Sequence, residues 1–209
     1  MFHLRRGLTA IAFVAMTVSA ATVAHADIII LSGNIPQVDE NVLLNTGLSG
    51  NPIFGTTNQT GLSVRFMSDE LLAAPANGQA RIEAVDGMLD QLTIDIPGST
   101  FTSLILNINA AAAGSTSFTV TEDNGQQTMG TFALGAGGQN FFTITAINGQ
   151  RMSNVFFTTD VAMVLTNVSD VAQIRIGGAA RTPGAPEPAA MLLFGTALLG
   201  GAVRRWRQQ

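Results

Sequence analysis

Between residues 27 and 181, apolar and polar side chains alternate one by one in short runs, and many of these runs end near a Gly or an Asn. Leu62-Ser63-Val64-Arg65-Phe66, Leu92-Thr93-Ile94-Asp95-Ile96, Phe118-Thr119-Val120 and Phe142-Thr143-Ile144 each put apolar groups on one side of an extended chain and polar groups on the other. That period of two belongs to half-buried antiparallel strands, and very little of the body shows the 3.6-residue period of an amphipathic helix. More evenly apolar runs at Phe101–Ile108, Val155–Phe157, Val161–Val168 and Gln173–Ile176 read as further strands, some of them central. Asn77-Gly78, Asp86-Gly87, Pro97-Gly98, Asn124-Gly125 and Asn148-Gly149 supply the positive φ that tight turns require.

Short strands at this spacing predict an all-β fold, an antiparallel β-sandwich of jelly-roll-like type with about ten strands. A parallel β-helix would need a fixed repeat, and none is present. One short helix is expected around Ser68–Ala73, with Ser68 as its cap. Phe66, Phe118, Phe142 and Phe156 stand at alternating strand positions and are expected in the core.

The side-chain inventory narrows the chemistry. The 209-residue chain has no Cys, Lys or Tyr, its single Trp is Trp206, and both histidines, His3 and His25, precede residue 27. Ser/His/Asp and Cys/His nucleophiles, lysine Schiff bases and zinc sites built on imidazole or thiolate are therefore unavailable to residues 27–181. Clustered acids remain at Asp69-Glu70, at Asp86 with Asp90, and at Glu122-Asp123. Each offers oxygen ligands that Ca²⁺ accepts, but none has the spacing of an EF-hand loop, so no cofactor is called. Glu122-Asp123-Asn124-Gly125 reads first as a hairpin turn. A glycosidase would need two such carboxylates at a set distance, and no feature selects a pair, so the chain is expected not to be an enzyme. Five arginines against thirteen Asp and Glu leave residues 27–181 at −8, which argues against nucleic-acid binding.

The two ends read differently from the body. Arg5 and Arg6 precede a nearly continuous apolar run, Leu8–Val23, and Ala24-His25-Ala26 gives a small-x-small cleavage pattern before Asp27. This is the layout of a secretory signal peptide, handled by Sec export machinery. At the other end Pro186-Glu187-Pro188 is followed by fifteen uncharged residues, Ala189–Val203, and then by Arg204, Arg205, Trp206 and Arg207. A helix of that length covers about 22 Å against a hydrocarbon core of about 30 Å, so it spans a bilayer only marginally. The arginines place its far end in the cytoplasm and the body outside.

Pro-Glu-Pro, a short apolar helix and a terminal Arg cluster, in a chain with an N-terminal signal, resemble the PEP-CTERM sorting signal of Gram-negative bacteria. The resemblance covers Pro186 to Arg207. It implies a partner, the membrane enzyme exosortase, which recognises the motif and processes the protein. It also implies transient anchoring followed by delivery to the cell surface or extracellular matrix. Gly55–Phe66 and Ala76–Gly87 resemble, more loosely, the small β-rich bodies of such proteins.

The expected organisation is a signal peptide at 1–26, a β-sandwich body at 27–176, a small-residue linker at 177–185 and a sorting signal at 186–209. The expected role is structural or adhesive, in exopolysaccharide or biofilm. The alternative is a secreted carbohydrate-binding, lectin-like module with the same address.

Overall fold

The computed structural model describes residues 27–75, 77–160 and 168–181. Among these there are seventeen strands and no helix. They are β1 (Ile28–Ser32), β2 (Glu40–Leu44), β3 (Leu48–Gly50), β4 (Ile53–Thr57), β5 (Ser63–Met67), β6 (Leu72–Ala74), β7 (Gly78–Gln79), β8 (Arg81–Ala84) and β9 (Gln91–Asp95). β10 (Ser99–Thr100), β11 (Ser103–Ala110), β12 (Gly114–Glu122), β13 (Gln127–Leu134), β14 (Asn140–Ala146), β15 (Met152–Asp160), β16 (Val168–Gly177) and β17 (Ala180–Arg181) complete the set.

The all-β, antiparallel expectation holds. In place of two separate sheets, however, the strands form one continuous sheet that curls into a nearly closed barrel, in the order β1-β14-β11-β16-β2-β4-β5-β9-β15-β12-β13. The curl turns on β2. Its first residues, Glu40 and Asn41, pair with β16, whereas Val42 and Leu43 pair with β4, so one strand serves both limbs. Gly55 allows the close approach there: a Cβ on it would lie 2.8 Å from Val42 Cγ1 and 2.9 Å from the Leu43 carbonyl.

Closure stops one ladder short: among the described residues no ladder joins β1 and β13. Eleven strands that alternate in direction leave the first and last, β1 and β13, running the same way. An antiparallel ladder cannot join them. Ile30 and Phe132, both partly buried, pack against the core from these two edges.

The core lies between the limbs. Phe118 of β12 has ring centroids 4.9 Å from Phe142, 5.6 Å from Phe157 and 6.1 Å from Phe132, at tilted or edge-on angles that suit the ring quadrupoles. Phe142 comes from the opposite limb, so this cluster ties the two together. Phe66, Phe118 and Phe142 are buried as expected, but Phe156 is only half-buried and Phe157 takes the core position. Val155, Phe156 and Phe157 are all apolar, so alternation alone cannot say which face points inward.

β11 is buried on both faces. Leu104, Leu106 and Ile108 join the core, while Ile105, Asn107 and Ser103 point the other way and are still enclosed. A strap, residues 33–39, crosses that outer face on its way from β1 to β2. Thr143 Oγ1 donates to the Gly33 carbonyl (2.8 Å) and accepts from Ile35 N (3.0 Å), and Arg175 holds Asn34 and stands 3.8 Å from Asp39. Thr143 and Arg175 flank Ile105 in the adjacent strands, which fixes where the strap passes.

The helix expected at Ser68–Ala73 is absent. Leu72–Ala74 form β6, and the Ser68 hydroxyl accepts from Glu70 N at 3.3 Å within a turn. Of the strand read at Val161–Val168, only Val168 falls within the described residues.

Candidate functional site

The fold gathers two of the three acidic clusters into one. Glu70 is pushed up to about 7, first by burial and then by the charges of Asp86, Asp90 and Asp69. One of its carboxylate oxygens is enclosed without a hydrogen-bond partner. Among the described residues no three acidic side chains converge as metal ligands, so the four acids share a field rather than a coordination point. Glu122-Asp123-Asn124-Gly125 forms the turn between β12 and β13, with Gly125 N donating to the Glu122 carbonyl at 3.1 Å and Gln126 N to Asn124 Oδ1 at 2.7 Å. Asp170, a buried acid outside those clusters, has a structural use. It accepts from Arg81 (2.9 Å) and Asn109 (2.5 Å), a network that satisfies charge on the strapped limb.

Both ends of the body leave from one pole. Asn148 Nδ2 donates to Asp27 Oδ2 at 3.0 Å, and Ile147 N to the Asp27 carbonyl at 2.8 Å. Asn148 and Gly149, at φ 54° and 82°, form the tight turn beside it, closed by Gln150 N on the Ile147 carbonyl at 3.0 Å. Two residues on, Arg151 donates to Thr100 Oγ1 (2.5 Å), the Thr100 carbonyl (2.8 Å) and the Gly178 carbonyl. One short loop thus pins the start of the body and its C-terminal exit. At that exit β17 pairs with β10, so strand pairing extends into the segment read as a linker.

Glu40 shapes the exit. Burial works against its charge, but the Thr60 hydroxyl (2.5 Å), Thr60 N (2.9 Å) and Gln59 N (2.7 Å) all donate to it and hold it below the usual carboxylate range. It borders a hollow of about 180 Å³ with Asp39, Gly177 and Gly178. A second hollow, of about 480 Å³, opens beside Arg181, Ser63 and Pro97.

The outer face of the limb from β4 to β13 is different in character. From Ser115 to Thr121 of β12 and across β13, β15, β9 and β5 the strands stay in register, with a shift only between Thr121 and Glu122, so the outward side chains form transverse rows. One row runs Thr131, Ser117, Thr158, Gln91, and includes a 2.9 Å hydrogen bond between the Ser117 and Thr131 hydroxyls. Another runs Gln127, Thr121, Asn154, Asp95, Arg65. Arg65 bonds Asp95 through two nitrogens, at 3.0 and 2.5 Å, so that pair is neutral. Sequence reading saw each strand's polar side but not this array, because rows depend on register between strands.

Of the residues singled out for targeting, Asp27 is placed as above. Ala24, Ala26, Pro186, Glu187, Pro188, Arg204, Arg205 and Arg207 lie outside the described residues. Among the described residues no helix is long and apolar enough to cross a membrane. No curated protein and no solved structure matches this chain. Residues 185–208 match the family model described as the PEP-CTERM protein-sorting motif, so the chain is one that carries this motif, directly after a β-barrel-like body.

Proposed function

We propose that this is an exported, non-enzymatic protein that exosortase sorts to the cell surface or extracellular matrix, where its β-rich body serves a structural or adhesive role. The observation that carries the reading is the sorting motif at residues 185–208, which implies export and processing by that membrane enzyme. The body agrees with it in two respects. Asp27 and Gly178 are held at one pole by the same loop, so the opposite pole can face outward while the chain is attached through either end. Residues 27–181 also lack His, Cys, Lys, Tyr and Trp, leaving carboxylates, amides, hydroxyls and arginines. Export through Sec, passing residence in the inner membrane and a final place in exopolysaccharide or biofilm belong to this proposal.

Deleting residues 186–209 tests it. The truncated protein should fail to reach the fraction that the full chain reaches, and should keep its C-terminal end unprocessed. Normal delivery of the truncated chain would sink the proposal. A second reading, a carbohydrate-binding module with the same address, draws support from the hydroxyl- and amide-bearing rows of the outer face.

A further inference from the structure

Across the middle of that outer face, five strands bring Met129, Thr119, Phe156, Thr93 and Met67 into one row. Neighbouring strands lie about 4.8 Å apart, so the row alternates a methyl- or ring-bearing group with a hydroxyl, and the two hydroxyls, of Thr119 and Thr93, stand two strands or about 10 Å apart on either side of Phe156. We propose that this face binds an uncharged polysaccharide, with Phe156 beneath a sugar ring and the hydroxyls of Thr119 and Thr93 bonding to the hydroxyls of the chain. The proposal rests on the adhesive part of the reading above and gives it a ligand class and a location.

Three observations converge on it. The two outer faces of the barrel are treated differently: residues 33–39 strap the β14–β11–β16 side, where Ile105 and Asn107 are buried, whereas on the other side Met67, Thr93, Phe156 and Thr119 are only half-buried and Met129 at the edge is 71% exposed. A solvent face left open in an acidic protein would ordinarily carry charge. Here the central row carries none, and the neighbouring Arg65 and Asp95 neutralise each other. Lastly, the partner must itself be neutral. An anionic glycan would meet a body at −8 with its one nearby cation already engaged, and a cationic polymer would be drawn to the Asp69, Glu70, Asp86 and Asp90 cluster instead. Hydroxyl and amide rows around one half-buried ring suit many weak hydrogen bonds along a repeating chain, and avidity over several sugars supplies the affinity.

Affinity electrophoresis of the full-length protein in mild detergent tests the inference. The gels would contain the extracellular polysaccharide purified from the producing cells, dextran or alginate. The expected result is retardation by the producer's polysaccharide or by dextran, with none by alginate. Phe156→Ala should weaken that retardation about tenfold. Because Phe156 is half-buried, Thr119→Arg serves as a second variant that adds bulk and charge to the face without removing packing, and it should weaken retardation equally with an unchanged melting temperature. Stronger retardation by alginate, retardation by neither the producer's polysaccharide nor dextran, retardation by a producer's polysaccharide that proves to be charged, or retardation that neither variant alters would each overturn the proposal. So would a protein dimer that Thr119→Arg dissociates, since a second copy would then occupy the face. None of these outcomes depends on delivery, so failure here is distinct from failure of the sorting reading.

Discussion

Glu70 is the residue at which the fold does most to alter chemistry. Its folded value, about 7, stands above the 4.5 of a free carboxyl, because burial and three neighbouring acids disfavour its charge. The folded state therefore binds the proton more tightly than the unfolded one. The contribution is fully favourable below about pH 4.5 and is lost as pH rises through 7. Glu70→Gln should remove that loss, raising stability at pH 8 by about 1 kcal/mol while changing little at pH 4. The full shift would imply more, but Glu70 keeps part of its surface in water. Urea titrations of both proteins at pH 4 and pH 8 would show it, and equal differences at the two pH values would contradict the shared field. The four acids were visible in the sequence as separate pairs. Their union was not, because Asp69-Glu70 and Asp86 with Asp90 are brought together by the pairing of β6 with β8 and by the chain that follows β8.

Among the elements, seven of the seventeen strands, β5, β9, β11, β12, β14, β15 and β16, could be read from alternation or apolar runs, and the turns at Gly78, Gly87, Gly98, Gly125 and Gly149 from Gly and its neighbour, since both signals are local. Two kinds of element escaped. β1, β2, β4 and β13 carry no clear mark, nor do the shorter β3, β6, β7, β8 and β10, although Ile28–Ser32 and Gln127–Leu134 become the two edges of the sheet. Their patterns are weak: Ile28-Ile29-Ile30-Leu31 has no alternation, and Gln127–Leu134 is mostly small or polar. The other kind is the end of β16 with β17, where Gly177-Gly178-Ala179-Ala180 has the composition of a linker. Small residues are needed there for packing. A Cβ on Gly177 would collide with Ser103 Oγ and the Val38 carbonyl, where β11 and the strap close over the strand. Gly177→Ala should therefore destabilise the body by about 2 kcal/mol. Gly135→Ala, whose added methyl meets nothing nearer than 3.5 Å, should cost little by comparison. If thermal melts showed the two substitutions to be equally mild, Gly177 would belong to a loose linker after all.

At the scale of the whole molecule, the curl of one sheet makes the two limbs a single cooperative unit. Phe118, at the meeting of β12, β13, β14 and β15, is the side chain that most directly joins them. Phe118→Ala should cost about 4 kcal/mol, and hydrogen exchange should rise in both limbs together rather than in β12 alone. The same unity fixes where on the body its two ends emerge. Asp27 and Gly178 share a pole through the Asn148–Arg151 loop, and Asp123 N donates to the Arg151 carbonyl at 3.0 Å, so the β12–β13 turn lies there too. Gly137 N bonds the Ala110 carbonyl at 3.0 Å at the other end of these strands, which puts Ala136 at the far pole. The chain contains no Cys, so a single introduced thiol can report on either pole without background. If, as proposed, the sorting segment holds the chain at the membrane before processing, a bulky maleimide should then label Ala136→Cys faster than Asp123→Cys, because the bilayer would shadow the near pole. Removing residues 186–209 should bring the two rates together, since both positions are exposed on the free body. Equal rates in the attached form would mean that the body tumbles freely on its tether, and the polar arrangement of its ends would then carry no consequence for display.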